Sequence, residues 1–136
     1  MSEPLVLELL AFPKAVPEVR GALREFLGGG ACPDAELCLS ELLANVIRHV
    51  GEGVPVTLRV QRGVSGDVRL ELADPEPYAW LVQRSPGSDE ESGRGLLVVG
   101  AVARRWGVER RGGGKTVWCE VRAEAPGVSG RSGGCP

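Results

Sequence analysis

Lysine is almost missing from this 136-residue chain: Lys14 and Lys115 are the only two, and arginine supplies the rest of the 16 basic residues. Eighteen acidic residues bring the net charge to −2, and the arginines are scattered, not gathered into a face. That distribution excludes direct nucleic-acid binding, which leaves a basic stripe or patch. Histidine occurs once, at His49, and the four cysteines have neither CxxC spacing nor a histidine set, so a zinc site is excluded. Cys38 and Cys119 sit in apolar stretches and read as small core residues, whereas Cys135 lies near the end of the chain. No apolar run approaches the roughly 20 residues of a membrane span. Met1-Ser-Glu-Pro4 also lacks a basic stretch ahead of Leu5–Phe12, so the expected location is cytoplasmic, away from membranes.

What remains is an ordinary globular composition, 43% hydrophobic and 25% charged, enough for one domain. Leu5–Phe12 reads as a first strand, and Val16, Val19, Leu23, Phe26 and Leu27 recur at helical spacing until Gly28-Gly29-Gly30. Cys32-Pro33-Asp34 opens a second helix that Gly51 and Gly53 end. Val54–Gln61 and Val68–Ala73 alternate in and out across a turn at 62–67. Asp74-Pro75-Glu76-Pro77 stops that strand, and a long polar segment runs to Ser92. A third helix is expected from Leu96 to about Arg105. Trp106–Arg110 and Thr116–Val121 then form a hairpin across Arg111–Gly114. Residues 124–136, rich in Gly, Ser and Pro, read as a flexible tail behind a domain at 1–123. The order β, α, α, β, β, loop, α, β, β predicts an α+β two-layer sandwich. Its mixed, mostly antiparallel sheet carries helices on one face.

The second helix carries the strongest chemical signal. At about 100° per residue, Asp34, Glu41, Asn45 and Arg48 fall in one narrow stripe, while most other positions from Ala35 to Val50 are apolar. A surface helix shows the opposite balance. A carboxylate can accept a proton or orient a nucleophile, and an amide oxygen is a hard ligand suited to Mg²⁺. The same two residues can also be no more than the solvated edge of a packed helix. Three further features need the same weighing. Asp74 ends a strand, where it can accept from an exocyclic amine or simply form a turn before proline. Gly93-Arg94-Gly95 enters a helix, where free N–H groups suit phosphate, though glycines often only punctuate loops. Thr116 follows a triple-glycine turn.

In this order and spacing the four resemble the ATP-binding Bergerat (GHKL) fold, and most closely the short, single-domain anti-sigma serine kinases. Ser40-Glu-Leu-Leu-Ala-Asn45 is similar to that family's N box, and Asp74 to the aspartate of its first glycine box. Glu91-Ser-Gly-Arg-Gly-Leu-Leu97 matches the second glycine box, and Gly112-Gly-Gly-Lys-Thr-Val-Trp118 the closing strand. The resemblance spans roughly Leu5 to Val121. It implies that Asn45 ligates a Mg²⁺ bridging the ATP phosphates and that Glu41 serves as base or orients the attacking hydroxyl. It implies that Asp74 holds the adenine amino group with support from Thr116, and that Gly93, Arg94, Gly95 and Leu96 offer donors to the phosphates. Residues 76–92 would form the lid over ATP. One departure is plain: the family's D-x-G-x-G reads Asp74-Pro-Glu-Pro-Tyr78, which stiffens the segment and adds a negative charge near a polyphosphate.

The implied activity is that of a serine/threonine kinase. It would phosphorylate an anti-anti-sigma antagonist and sequester a sigma factor, with homodimerisation as in several relatives. The alternative is a non-catalytic module whose partner binding depends on nucleotide, which the altered glycine box favours. A histidine autokinase is excluded, because His49 lies inside the proposed nucleotide-site helix and no dimerising helical hairpin precedes it.

Overall fold

A computed structural model of the chain describes residues 3–29, 32–63, 65–77 and 99–122. The second glycine box, most of the expected lid and the tail lie outside the described residues. Five strands form one sheet: β1 (Leu5–Leu10), β2 (Pro55–Arg62), β3 (Val68–Asp74), β4 (Arg105–Arg111) and β5 (Gly114–Val121). Their spatial order is β1-β2-β3-β5-β4, and every neighbouring pair is antiparallel. Helices α1 (Ala15–Phe26) and α2 (Pro33–His49) cover one face, giving the expected α+β sandwich. Residues 99–102 are helical, and β4 already begins at Arg105, so the helix expected to run to about there stops earlier.

Alternation along the strands decides which side chains enter the core. Leu58 and Val60 of β2, Leu70 and Leu72 of β3, and Val117, Cys119 and Val121 of β5 point under the helices and are buried. They meet Val19 and Leu23 of α1 and Cys38, Leu39, Leu42, Leu43 and Val46 of α2 in one apolar cluster. The intervening residues, among them Arg69, Glu71, Thr116, Trp118 and Glu120, lie on the opposite face. There Arg69 pairs with Glu71 at 2.7 Å and Glu120 at 2.8 Å, and its guanidinium stacks 4.2 Å from the Trp118 ring. Trp118 in turn covers Gly107, where a Cβ would come within 2.9 Å of the indole.

The start of α2 is favoured by Pro33 in the first turn, where its missing N–H costs nothing, and by Asp34 and Glu36 at the positive end of the helix dipole. At its other end Gly51 takes φ 147°, a backbone region open to glycine. Glu36 also ties the helices together. Only 4% exposed, it accepts from Arg24 Nε and Nη2, each at 2.9 Å, and from Arg20 Nη2 at 3.3 Å, both arginines belonging to α1. The Arg24 hydrogen bond is the chief reason its carboxyl titrates below the usual carboxylate range, with burial opposing it. A depressed folded pKa means that this clamp stabilises the protein above the ordinary carboxylate pKa and is lost as pH falls through the folded value. Glu36→Ala is therefore expected to lower stability near neutral pH by about 1.5–3 kcal/mol, toward the lower end because both arginines are half-exposed. Urea unfolding should show the difference from wild type shrinking as pH drops below the usual carboxylate range.

Candidate functional site

Asn45 is the most unusual residue of α2. It is 1% exposed, and among the described residues neither Oδ1 nor Nδ2 has a hydrogen-bond partner. Buried amides are nearly always paired, and leaving one unpaired costs roughly 1–3 kcal/mol. The rest of the α2 stripe is more open: Asp34 and Glu41 are half-buried and Arg48 is exposed. Glu41, one turn before Asn45, makes no hydrogen bond or ion pair among the described residues. Glu41 is half-buried, whereas Asn45 is fully buried.

Asp74 closes β3 on the same face of the sheet as the core. Its carboxylate is already engaged. Oδ1 accepts from the Glu76 backbone N–H at 2.8 Å, a turn across Pro75 in which the side chain stands in for a backbone acceptor. Opposite it in the β3–β5 register stands Lys115. The Lys115 ammonium donates to Oδ1 at 3.1 Å and lies 2.9 Å from Oδ2, and both side chains are 0% exposed. It also donates to the Glu76 carbonyl at 2.7 Å. The turn expected of this aspartate is present, and the rest of its carboxylate faces Lys115.

Thr116 is not brought to Asp74. It pairs with Ala73 and Glu109 on the far face of the sheet, because β5 starts at Gly114 and its inward parity runs Lys115, Val117, Cys119, Val121. The β5 side chain that meets Asp74 is thus Lys115, which the sequence reading passed over. The pattern that could have found it was present: stepping back by two from Val121, Cys119 and Val117 lands on residue 115. Gly93, Arg94, Gly95 and Leu96, expected at the phosphates, lie outside the described residues. Among the described residues no cluster of three or more histidine, cysteine, aspartate or glutamate side chains could hold a metal ion. A Mg²⁺ bound through the Asn45 amide oxygen would therefore take most of its ligands from phosphate oxygens and water, as Mg²⁺ commonly does. The orphaned amide fits such a role. The Asp74 carboxylate fits a base amine only if Lys115 gives way.

An antiparallel sheet with two helices on one face and a polar amide and carboxylate at the sheet–helix seam defines a Bergerat-type nucleotide-binding sandwich. The comparison with protein families agrees. The chain belongs to the histidine kinase-like ATPase domain family, whose pattern matches residues 9–120. It is 43% identical over 89 residues to an uncharacterized protein of Streptomyces coelicolor, a stretch that makes up 65% of this chain and 85% of that one. A solved structure of the RsbU and RsbW domains of a Mycobacterium tuberculosis protein superposes with a TM-score of 0.65 at 24% identity. That match covers 89% of this chain but only 32% of the other, so the present chain spans about a third of that protein and shares its fold. Among the described residues no helix is long and apolar enough to cross a membrane.

Proposed function

We propose that this chain is an ATP-binding, anti-sigma-type regulator acting in the cytoplasm. It is a serine/threonine kinase that transfers the ATP γ-phosphoryl group to an anti-anti-sigma antagonist and, when the antagonist is phosphorylated, holds a sigma factor. The observation that carries the reading is the buried, unpartnered Asn45 amide one helical turn from the half-buried Glu41. Phosphoryl transfer asks little covalent chemistry of a protein; it needs positioning and neutralisation of charge. Asn45 would supply a Mg²⁺ ligand at the phosphates, and Glu41 would orient or deprotonate the attacking hydroxyl. Membership of the ATPase family and the order of the motifs support the assignment.

A second reading, a module that binds nucleotide without transferring phosphate, is favoured by the Asp74-Pro-Glu-Pro77 turn and by the ion pair that engages its carboxylate. Glu41→Ala separates the two. Under the kinase reading the variant binds Mg-ATP as wild type does, while transfer to a serine-containing antagonist measured with γ-labelled ATP falls about 10²–10⁴-fold. Equal transfer by variant and wild type would remove Glu41 from the chemistry. No transfer by either would favour the binding module.

A further inference from the structure

Lys115 is one of two lysines in the chain, and its side chain is wholly buried. Lysine is almost never fully buried unless paired, and a buried ion pair is weak evidence for stability: well-packed apolar residues of similar volume often do as well or better. The Asp74–Lys115 pair therefore calls for a reason other than holding β3 to β5, which the six other register pairs already do. Its location supplies one. The ammonium lies against the carboxylate assigned above to a nucleobase amine, and although it is 2.9 Å from Oδ2, that oxygen receives no aligned hydrogen bond. Both carboxylate oxygens thus face the ammonium, Oδ1 through a hydrogen bond and Oδ2 through charge at close range.

We propose that Lys115 is the specificity-determining residue of the nucleotide site. In the ligand-free protein its ammonium occupies the acceptor that an adenine amine needs, and adenine nucleotide binds only by displacing it. The inference rests on the reading of Asp74 as the base acceptor. The direction follows from charge: an ammonium meets the carboxylate with a full opposite charge in a buried site, whereas a neutral exocyclic amine brings only a dipole. A neutral exocyclic amine competes poorly against Lys115, so the wild-type site discriminates against weak adenine ligands. Backbone geometry keeps the pair in place. Gly114 passes so close to Asp74 that a Cβ there would lie on the Asp74 carbonyl oxygen and 3.2 Å from the Pro75 Cα. The β3 and β5 backbones thus cannot drift apart to admit a base beside the lysine without losing this approach.

Two measurements on the full chain test the proposal. The first is calorimetric titration of Mg-ATP into wild type, Lys115→Thr and Lys115→Met. Threonine opens space and leaves a hydroxyl for Asp74, and methionine removes the charge while keeping most of the volume. Lys115→Thr should bind at least tenfold tighter than wild type, with Lys115→Met between them. The second uses wild-type protein labelled with ¹⁵N-lysine, in which a buried, hydrogen-bonded ammonium gives a slowly exchanging Nζ–H signal. That Lys115 signal should be present without nucleotide and vanish at saturation, with Lys14 as the exposed internal reference. If wild type binds Mg-ATP but Lys115→Thr binds no tighter, or the signal persists at saturation, the inference is wrong and the proposed function is untouched. If none of the folded proteins binds at millimolar Mg-ATP, the adenine-site reading fails and the inference fails with it. Should the variants not fold, the exchange experiment on wild type decides alone.

Discussion

Asn45→Leu is expected to move two observables in opposite directions. Leucine has the same side-chain branching and heavy-atom count as asparagine, is bulkier by its two methyl groups and carries no polar atoms, so it ends the burial of an amide that finds no partner among the described residues. Relief of that cost should raise the stability of the ligand-free protein by about 1–2 kcal/mol, a gain of several degrees in Tm for a domain of this size. The same substitution removes the only α2 side-chain amide available to a Mg²⁺ at the nucleotide phosphates, so the stabilisation conferred by Mg-ATP should disappear. A side chain that serves only packing would give the reverse pattern, a less stable protein with an unchanged nucleotide response. Differential scanning calorimetry with and without Mg-ATP reads both quantities from the same samples. Functional sites commonly hold such a trade, since a polar group kept ready for a ligand is a cost until the ligand arrives.

Gly114→Val should produce the largest loss of stability among single substitutions near the site. The new Cβ would overlap the Asp74 carbonyl oxygen and press on the Asp74 carbonyl carbon and Pro75 Cα, each 3.2 Å away. All three are backbone atoms and cannot rotate aside. Separating the ends of β3 and β5 should lower stability by about 2–3 kcal/mol, or roughly 6–12 °C in Tm. The Asp74–Lys115 pair at the same register position should be disturbed with it. Gly112→Ala and Gly113→Ala provide the controls: nothing lies within 4 Å of a Cβ at either place, and their effects should stay within about 0.5 kcal/mol. If Gly114→Val unfolds at the wild-type temperature, the close approach of the two strands is not as described.

The parts of the fold that were legible in the sequence share one physical cause: a two-sided environment imposes a period. Leu58/Val60 on β2 and Leu70/Leu72 on β3 alternate with polar residues because one face of the sheet is covered and the other is not. The α2 stripe was legible for the same reason, at helical period. Two residues, Glu36 and Lys115, were not singled out because the partner that places each lies elsewhere in the chain. Glu36 is buried because Arg20 and Arg24 reach it from α1, and Leu37 beside it is left 41% exposed. Neither fact is visible along α2 alone. Lys115 escaped because its strand was read as starting at Thr116, two residues later than it does, which left residue 115 in the turn. The alternation of β5 places Thr116 on the far face and brings the Lys115 ammonium to Asp74. No period within β5 reveals that pairing; it requires knowing that β3 ends opposite the start of β5.

The proline-rich turn after β3 is held by local contacts. Pro75 fixes the backbone after β3, and the Asp74 side chain receives the Glu76 N–H that a glycine-rich turn would leave to other acceptors. The Lys115 ammonium also donates to the Glu76 backbone carbonyl. The segment entering the loop is thus stiffened by covalent geometry and by two hydrogen bonds converging on one carboxylate oxygen.

The central claim, that this sandwich holds an adenine nucleotide between α2 and the end of β3, is tested most directly by thermal unfolding of the wild-type chain with Mg-ATP and Mg-GTP. A site that reads adenine predicts a rise of several degrees with ATP, corresponding to about 2.7 kcal/mol at 100 times the dissociation constant, and none with GTP. Equal shifts with both nucleotides, or no shift at millimolar ATP, would contradict the claim.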